Sequence, residues 1–321
     1  MAKKLGPEFT YDLSDFRRVD QNLIHYEEAE GLATGMKEPR GMAVGPRDVI
    51  YLAGDRIVRA LDLAGKTVME FKTDVEPQRV AASPAGTIYV AMKDHVEVFD
   101  AAGNRQAAWA PAGKDALLVC VAAGDADVFV ADANGRAVIR YDPHAGRVVS
   151  RIDGRMPPDS TAKDADDAGF IVPSPYFDVA LGPAGKVWIA NPGRRRVELH
   201  AYDGRLIRNW GAASFRIDGF CGCCNPTHLA VLADGPSPAV GLRPAGGSLV
   251  TSEKGLPRVK VYNADGDLRS VVAPPAAFGE ATVIADLAAD SAGRILVLDP
   301  DANKVRIFTR KKSAPVAEAK S

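Results

Sequence analysis

One pattern recurs six times along the chain: a few small apolar residues, a turn carrying Gly or Pro, then an alternating apolar strand. The copies are GMAVGPRDVIYLAGD, RVAASPAGTIYVAMKD, VCVAAGDADVFVAD, DVALGPAGKVWIANP, HLAVLADG joined across an insertion to GSLVTSEK, and DLAADSAGRILVLDP. Most are followed by a third strand, an Asp/Asn-to-Gly turn and a fourth strand, as in RALDLAGKTVMEF, VEVFDAAGNRQAAW, IRYDPHAGRVVSRI, LHAYDGRLIRNW and VKVYNADGDLRSVV. Self-similarity of this kind marks a repeat architecture, because one such unit cannot bury its apolar faces alone. Six units of four short strands predict an all-β fold, a six-bladed β-propeller of four-stranded antiparallel blades that protects its sheet edges by setting them radially around a channel. The Asp-x-x-Gly turns suit the tight outer connections, where a residue of positive φ is required.

The last unit is one strand short. It offers DLAAD, RILVLDP and KVRIFTR before the polar KKSAPVAEAKS, whereas NLIHYEEAEG near the N-terminus belongs to no unit. Asn22 to Glu28 is therefore expected to pair with Lys304 to Arg310 and close the ring. The resulting division is an N-terminal extension at residues 1–21, the propeller at 22–310 and a disordered tail at 311–321.

The chain has 321 residues, a net charge of −1 and a pI near 6.5, which argues against a nucleic-acid partner because such surfaces carry a basic excess. No stretch approaches the roughly 18 consecutive apolar residues of a membrane span. The start MAKKLGPEFTYDLSDF lacks the apolar run of a signal peptide. The expectation is a cytoplasmic protein as written, exported if the true N-terminus is longer.

The units resemble NHL repeats, in which a Pro, an apolar strand, a Gly, a second strand ending in Asp and a third strand follow in order. EPRGMAVGPRDVIYLAGD and FVADANGRAVIRYDPHAG carry that pattern, and the resemblance spans roughly residues 39–308. It implies the propeller fold. It does not choose an activity, because NHL-like propellers include lyases, lactonase relatives and interaction scaffolds, and function resides in the site.

Aligning the six units places Gly41, Arg79, Val119, Asp178, His228 and Asp286 at one equivalent position, near the start of each innermost strand. That ring is expected to line a water-filled channel, with Arg79, Asp178, His228, Asp286 and Lys254 as candidate binding residues. The lead-in segments EPRG, EPQR, SPYFD and CCNPTH should converge on the same face as the turns KDH, NPGRRR and SEKG. Arg194, Arg195 and Arg196 read first as a solvated turn. Ala64 to Thr67 resembles the end of a phosphate-binding loop but lacks its earlier Gly. A zinc site of three channel histidines is disfavoured, since His228 alone holds such a position.

Three of the four cysteines stand within FCGCCNPTHLAV, ahead of an innermost strand and beside the expected channel mouth. Cys221, Cys223 and Cys224 offer soft ligands, with Cys120 or His228 to complete a set, that would suit an iron–sulfur cluster or a single zinc, copper or iron ion. Adjacent side chains tend to diverge, so Cys223 and Cys224 could instead form a vicinal disulfide or a reactive thiol pair. Cys120 aligns with Met42, Val80, Val179, Leu229 and Leu287, which reads as a small buried hydrophobe. GFCGCCNPTHLA, VTSEKGLPRVKVY, VPSPYFDVA and ANPGRRRVELHAYDG together are similar to a bacterial subgroup of NHL-repeat proteins sharing a Gly-Cys-Cys-Asn-Pro loop. Two functions stay open: a redox or metal-binding propeller serving a protein redox partner or a small anionic molecule at the channel mouth, and a non-catalytic scaffold whose loop is structural.

Overall fold

A computed structural model of the chain describes residues 14–155, 169–232, 247–279 and 282–312. Most of the expected tail, the first part of the expected N-terminal extension and the insertion in the fifth unit lie outside the described residues. The first strand is β1 (Tyr26–Ala33). Blade one consists of β2 (Pro39–Val44), β3 (Ile50–Gly54), β4 (Ile57–Leu61) and β5 (Thr67–Lys72), and blade two of β6 (Arg79–Ala82), β7 (Ile88–Ala91), β8 (Val96–Phe99) and β9 (Arg105–Ala108). Blade three runs through β10 (Leu118–Ala123), β11 (Val128–Asp132), β12 (Ala137–Asp142) and β13 (Arg147–Ile152). Blade four comprises β14 (Val179–Leu181), β15 (Lys186–Asn191), β16 (Arg196–Ala201) and β17 (Leu206–Trp210). Blade five has β18 (His228–Leu232), β19 (Ser248–Ser252), β20 (Val259–Tyr262) and β21 (Leu268–Ala273), and β22 (Asp286–Ala289), β23 (Ile295–Asp299) and β24 (Lys304–Arg310) begin blade six.

The six sheets each have four strands, and the sixth is completed by β1 in the order β1-β24-β23-β22. This is the six-bladed β-propeller that the repeats predict. Second strands such as β3, β7 and β11 are buried along their whole length, while the outer β9 is exposed throughout. That gradient follows from the packing, since both faces of each blade are covered by its neighbours. Six apolar clusters fill the spaces between consecutive blades, for example Tyr51, Ala53, Val80, Ile88 and Phe99 between the first two.

The outer turns form as their sequence dictates. The Asp62 carboxylate accepts from the N–H groups of Ala64 and Lys66, each at 2.9 Å, and Gly65 takes φ of 79°. Asp100 repeats the arrangement with Ala102 and Asn104. A side-chain oxygen substitutes for backbone acceptors where the chain reverses.

Closure occurs at the expected strand but with shifted bounds. β1 begins at Tyr26, opposite Arg310, and runs to Ala33, opposite Lys304. The residues Gln21–Leu23 instead form a 3-10 turn, because the Asp20 carboxylate accepts the Asn22 N–H at 2.9 Å and fixes the chain in a bend. Glu28 then sets the register through a two-pronged pair with Arg306, at 2.8 and 2.6 Å, and Arg306 also reaches Asp299 at 3.3 Å.

A variant lacking residues 1–33 should leave the β24 edge unpaired and prone to association. We expect its melting temperature to fall by about 10 °C or more, with concentration-dependent aggregation, given that ~1 kcal/mol corresponds to a few degrees in a chain of this size. An unchanged melting temperature would mean that the ring closes without β1.

Candidate functional site

Inner strands start at one end of the channel, and their first residues meet there. Asp178 is 4% exposed, His228 2% and Asp286 8%. The sequence led us to expect solvated channel-lining groups; Asp178 and Asp286 do border the channel space, but all three side chains are largely buried, with His228 set between the two carboxylates. Its Nδ1 lies 3.5 Å from Asp178 Oδ2 and 3.9 Å from Asp286 Oδ1.

These side chains also join blades. Asp178 accepts the N–H of Leu229 in blade five at 2.7 Å and that of Val179 at 2.8 Å. Asp286 accepts the N–H of Met42 in blade one and that of Leu287, both at 2.8 Å. Arg79 donates to the Arg40 carbonyl at 2.6 Å, and its Nε lies 3.8 Å from Asp286. Cys120 donates its S–H to the Val179 carbonyl at 3.4 Å, joining blade three to blade four. Gly41 has no room for a side chain, since a Cβ there would stand 2.8 Å from the Arg79 Cα. Val119 falls within the irregular register between Leu118 and Cys120, and is buried.

Electrostatics differ between the two carboxylates. Burial pushes Asp178 up, but the facing His228 imidazole, the Cys120 thiol and the Leu229 N–H outweigh it and hold the group below the ordinary carboxylate value. Burial dominates at Asp286 and raises it, opposed by Arg79 and His228 and reinforced by the charge of Asp178. Burial, with the Asp178 and Asp286 charges adding, raises the Cys120 thiol well above its usual value. Cys120 thus stands on the channel wall, bonded across to blade four. Below the polar ring, residues such as Val44, Ala82, Ala123, Leu181, Val231 and Ala289 line a channel space of about 130 Å³.

The cysteine loop runs from the end of β17 into β18, and it is anchored by charges. Glu253, Arg258 and Lys260 are each 0% exposed. Arg258 donates to both Glu253 oxygens at 3.0 and 2.7 Å, and Lys260 Nζ lies 2.8 Å from Oε1. Two cations against one carboxylate leave a surplus of positive charge, which carbonyl oxygens of the loop satisfy. Arg258 donates to the carbonyls of Phe215 at 3.1 Å, Arg216 at 3.3 Å and Gly219 at 3.3 Å. Lys260 reaches those of Ile217 at 3.1 Å and Gly219 at 2.6 Å, and the Tyr262 hydroxyl donates to that of Asp218 at 3.1 Å. Glu253 accepts the Cys221 N–H at 2.9 Å. Burial lowers Lys260 to about 8 despite the attraction of Glu253.

Sequence reading quoted VTSEKGLPRVKVY as a signature but missed this anchor. The available signal was alternation, since Arg258 at the entry to β20 and Lys260 and Tyr262 within it alternate with Val259 and Val261, which pack toward the sixth blade.

The sulfurs fall into distinct environments. Cys221 and Cys224 are buried and Cys223 is exposed, with Gly222 between them at φ of 71°. Burial, then the charge of Glu253, raises the Cys221 thiol to about 11. Cys223 Sγ and Cys224 Sγ lie 3.1 Å apart. The Cys224 sulfur raises the Cys223 thiol above its usual value, while Lys254 partly offsets this. Asn225 ties the loop to the β19–β20 turn, with Oδ1 accepting the Lys254 N–H at 2.9 Å and Nδ2 donating to the Lys254 carbonyl at 3.1 Å. Lys254 Nζ lies 4.4 Å above the Tyr176 ring, and that ring meets His228 edge-on at 6.1 Å. Thus CCNPTH, SEKG and SPYFD do converge on one face. Among the described residues, the set of three metal-ligating groups within 4.8 Å of one another is Asp178, His228 and Asp286, not the loop cysteines. No helix among the described residues is long and apolar enough to cross a membrane.

No family model matches the chain, and no curated protein matches it either. Solved propellers do. A streptogramin B lyase structure superposes with a TM-score of 0.58 at 11% identity, covering 91% of this chain and 100% of that one. A catalytically inactive virginiamycin B lyase from Staphylococcus aureus with quinupristin gives 0.59 at 12% identity, covering 89% and 100%. The WD40 β-propeller domain of Doa1 gives 0.55 at 13% identity, covering 86% and 80%. Similarity at this level defines the class as β-propeller, with neighbours in more than one propeller family, and says nothing more.

Two outcomes are expected for the anchor. Glu253→Ala, by leaving two buried cations without their carboxylate, should cost about 3–5 kcal/mol in urea unfolding, whereas Lys254→Ala should cost under about 1 kcal/mol. Burial alone would raise the Glu253 carboxyl, but Lys260 and Arg258 hold it below its ordinary 4.5. The unfolded chain therefore takes up the proton first. The stability from this pairing is complete above the unfolded value and is lost as pH falls through the depressed folded one. Glu253→Gln should accordingly flatten the acid limb of a stability–pH curve.

Proposed function

We propose that the protein is a thiol-redox propeller whose working group is the Cys223–Cys224 pair at the channel mouth. The observation that carries the reading is the 3.1 Å separation of the two sulfurs with Cys223 exposed and Cys224 buried. An exposed thiol can meet a partner disulfide while its buried neighbour waits to resolve the product.

The chemistry balances with a disulfide-bearing partner. The Cys223 thiolate attacks one partner sulfur, breaking the partner's S–S bond and releasing one partner thiol. Cys224, as thiolate, then attacks Cys223 Sγ, closes the vicinal disulfide and releases the second partner thiol. Two electrons and two protons pass from loop to partner, and the reverse sequence oxidises a partner dithiol. Consecutive Cα atoms are about 3.8 Å apart, shorter than ordinary disulfides prefer, so the vicinal ring is strained and easily reduced. Lys254 supplies a positive charge beside Cys223, which favours an anionic disulfide or an acidic protein surface as the partner.

The resemblance to NHL-repeat proteins with a Gly-Cys-Cys-Asn-Pro loop accords with a dedicated role for these sulfurs. Iron–sulfur or soft-metal binding is a less economical reading, because among the described residues the loop cysteines do not bring three ligand atoms together and Cys120 is engaged on the channel wall. The scaffold reading draws support from the buried anchor, which would stiffen a docking face equally well.

Equilibrating anaerobically purified protein with glutathione buffers separates these readings. We expect an intact mass lower by two hydrogens on oxidation, fully restored by reductant and abolished in Cys224→Ser. The pH midpoint for alkylation of Cys223 should move down in Cys224→Ser and up in Lys254→Ala. Absence of the oxidised species across the buffer range leaves the scaffold, and metal retained on the loop cysteines establishes the metal-binding reading instead.

A further inference from the structure

Asp178, His228 and Asp286 come from three consecutive blades and bring one ligand atom each to within 4.8 Å of the others. His228 is the unusual member. It is 2% exposed, yet among the described residues its Nε2 has no hydrogen-bond partner, and its Nδ1 faces two carboxylate oxygens at 3.5 and 3.9 Å. Those separations exceed the roughly 2.7–3.2 Å of an N–H···O bond. The three groups thus face one another at long range, with His228 bonded to Asp178 only loosely. Nδ1, the nitrogen turned toward both carboxylates, has only these long contacts, and an ion between the three groups would give it a close partner.

The carboxylates are fixed for such a role. Each of their four oxygens accepts one backbone N–H, from Val179, Leu229, Leu287 or Met42, which locks both groups in place and leaves a further lone pair on each oxygen. Ligand atoms around one ion at about 2.0–2.2 Å are separated by roughly 3–4 Å, the spacing of His228 Nδ1 from each carboxylate. Asp178 and Asp286 also line the end of the channel space, so an ion there has a route of entry and a side not covered by these ligands.

We infer that Asp178, His228 and Asp286 form a divalent-metal site where the inner strands start, on the channel axis and independent of the loop cysteines. One imidazole with two carboxylates suits a first-row ion such as manganese, iron or zinc better than the all-oxygen preference of calcium and magnesium. The bound ion ties blades four, five and six together from within and leaves a coordination position toward the channel for water or a small oxygen-bearing ligand.

Manganese is the discriminating probe, because it avoids thiols. Folded full-length protein, stripped with chelator, is titrated with manganese chloride by calorimetry and by paramagnetic broadening of the histidine ring signals. One saturable equivalent is expected, broadening the signal absent from His228→Asn and sparing that of His144. Binding should survive in the Cys223→Ser, Cys224→Ser double variant and weaken at least tenfold in His228→Asn and Asp286→Asn. If His228→Asn fails to fold, Asp286→Asn and the double cysteine variant still decide the matter by calorimetry. No saturable binding, broadening that spares His228, or loss of binding with the cysteines would each overturn the site.

Discussion

Every blade of this ring is covered on both faces, so none is stable without two neighbours, and the whole depends on the apolar contact between adjacent blades. Leu287, Ile295 and Val297 of the sixth blade pack with Val250 and Val259 of the fifth, while Leu296 and Leu298 pack with Ile50 and Leu52 of the first. Apolar packing is not directional and would tolerate sliding. The polar ring at the inner strand starts removes that freedom, since each hydrogen bond from Asp178, Asp286, Arg79 or Cys120 to a neighbouring backbone is satisfied at one rotation of blade on blade.

The cysteine loop uses the opposite strategy. It is long and irregular, and its backbone carbonyls would be expensive to bury unpaired. Arg258, Lys260 and Tyr262 meet five consecutive carbonyls from Phe215 to Gly219, so a segment without regular structure is held by one strand face. The three cysteines of the loop then sit on a support that contributes no sulfur of its own.

Much of this was legible from the residues. Blade number, the Asp-x-x-Gly turns and the convergence of Arg79, Asp178, His228 and Asp286 follow from strand periodicity, because phase along an inner strand determines which side chains face the axis. What covers those side chains does not follow from phase. The ring was expected to be freely solvated and is largely buried while still bordering the channel, since the place of His228 within it depends on how six strands close in space. The same reason hid Glu253, Arg258 and Lys260: charges at alternate strand positions ordinarily mark a solvent face, and the loop that covers them lies in a different part of the sequence. The bounds of β1 were missed by four residues at its start, where the Asp20 cap competes with extension.

The pairing of β1 with β24 also orders events during synthesis. The strand made first has its partner among those made last, more than 270 residues apart at Glu28 and Arg306. Until the final strand leaves the ribosome, the sixth blade cannot exist, and the five others form an open arc with apolar faces at both ends. A growing chain must therefore carry Tyr26–Ala33 unpaired through nearly its entire translation, which makes this segment a natural handhold for a chaperone and the place where two unfinished chains could complete each other's ring.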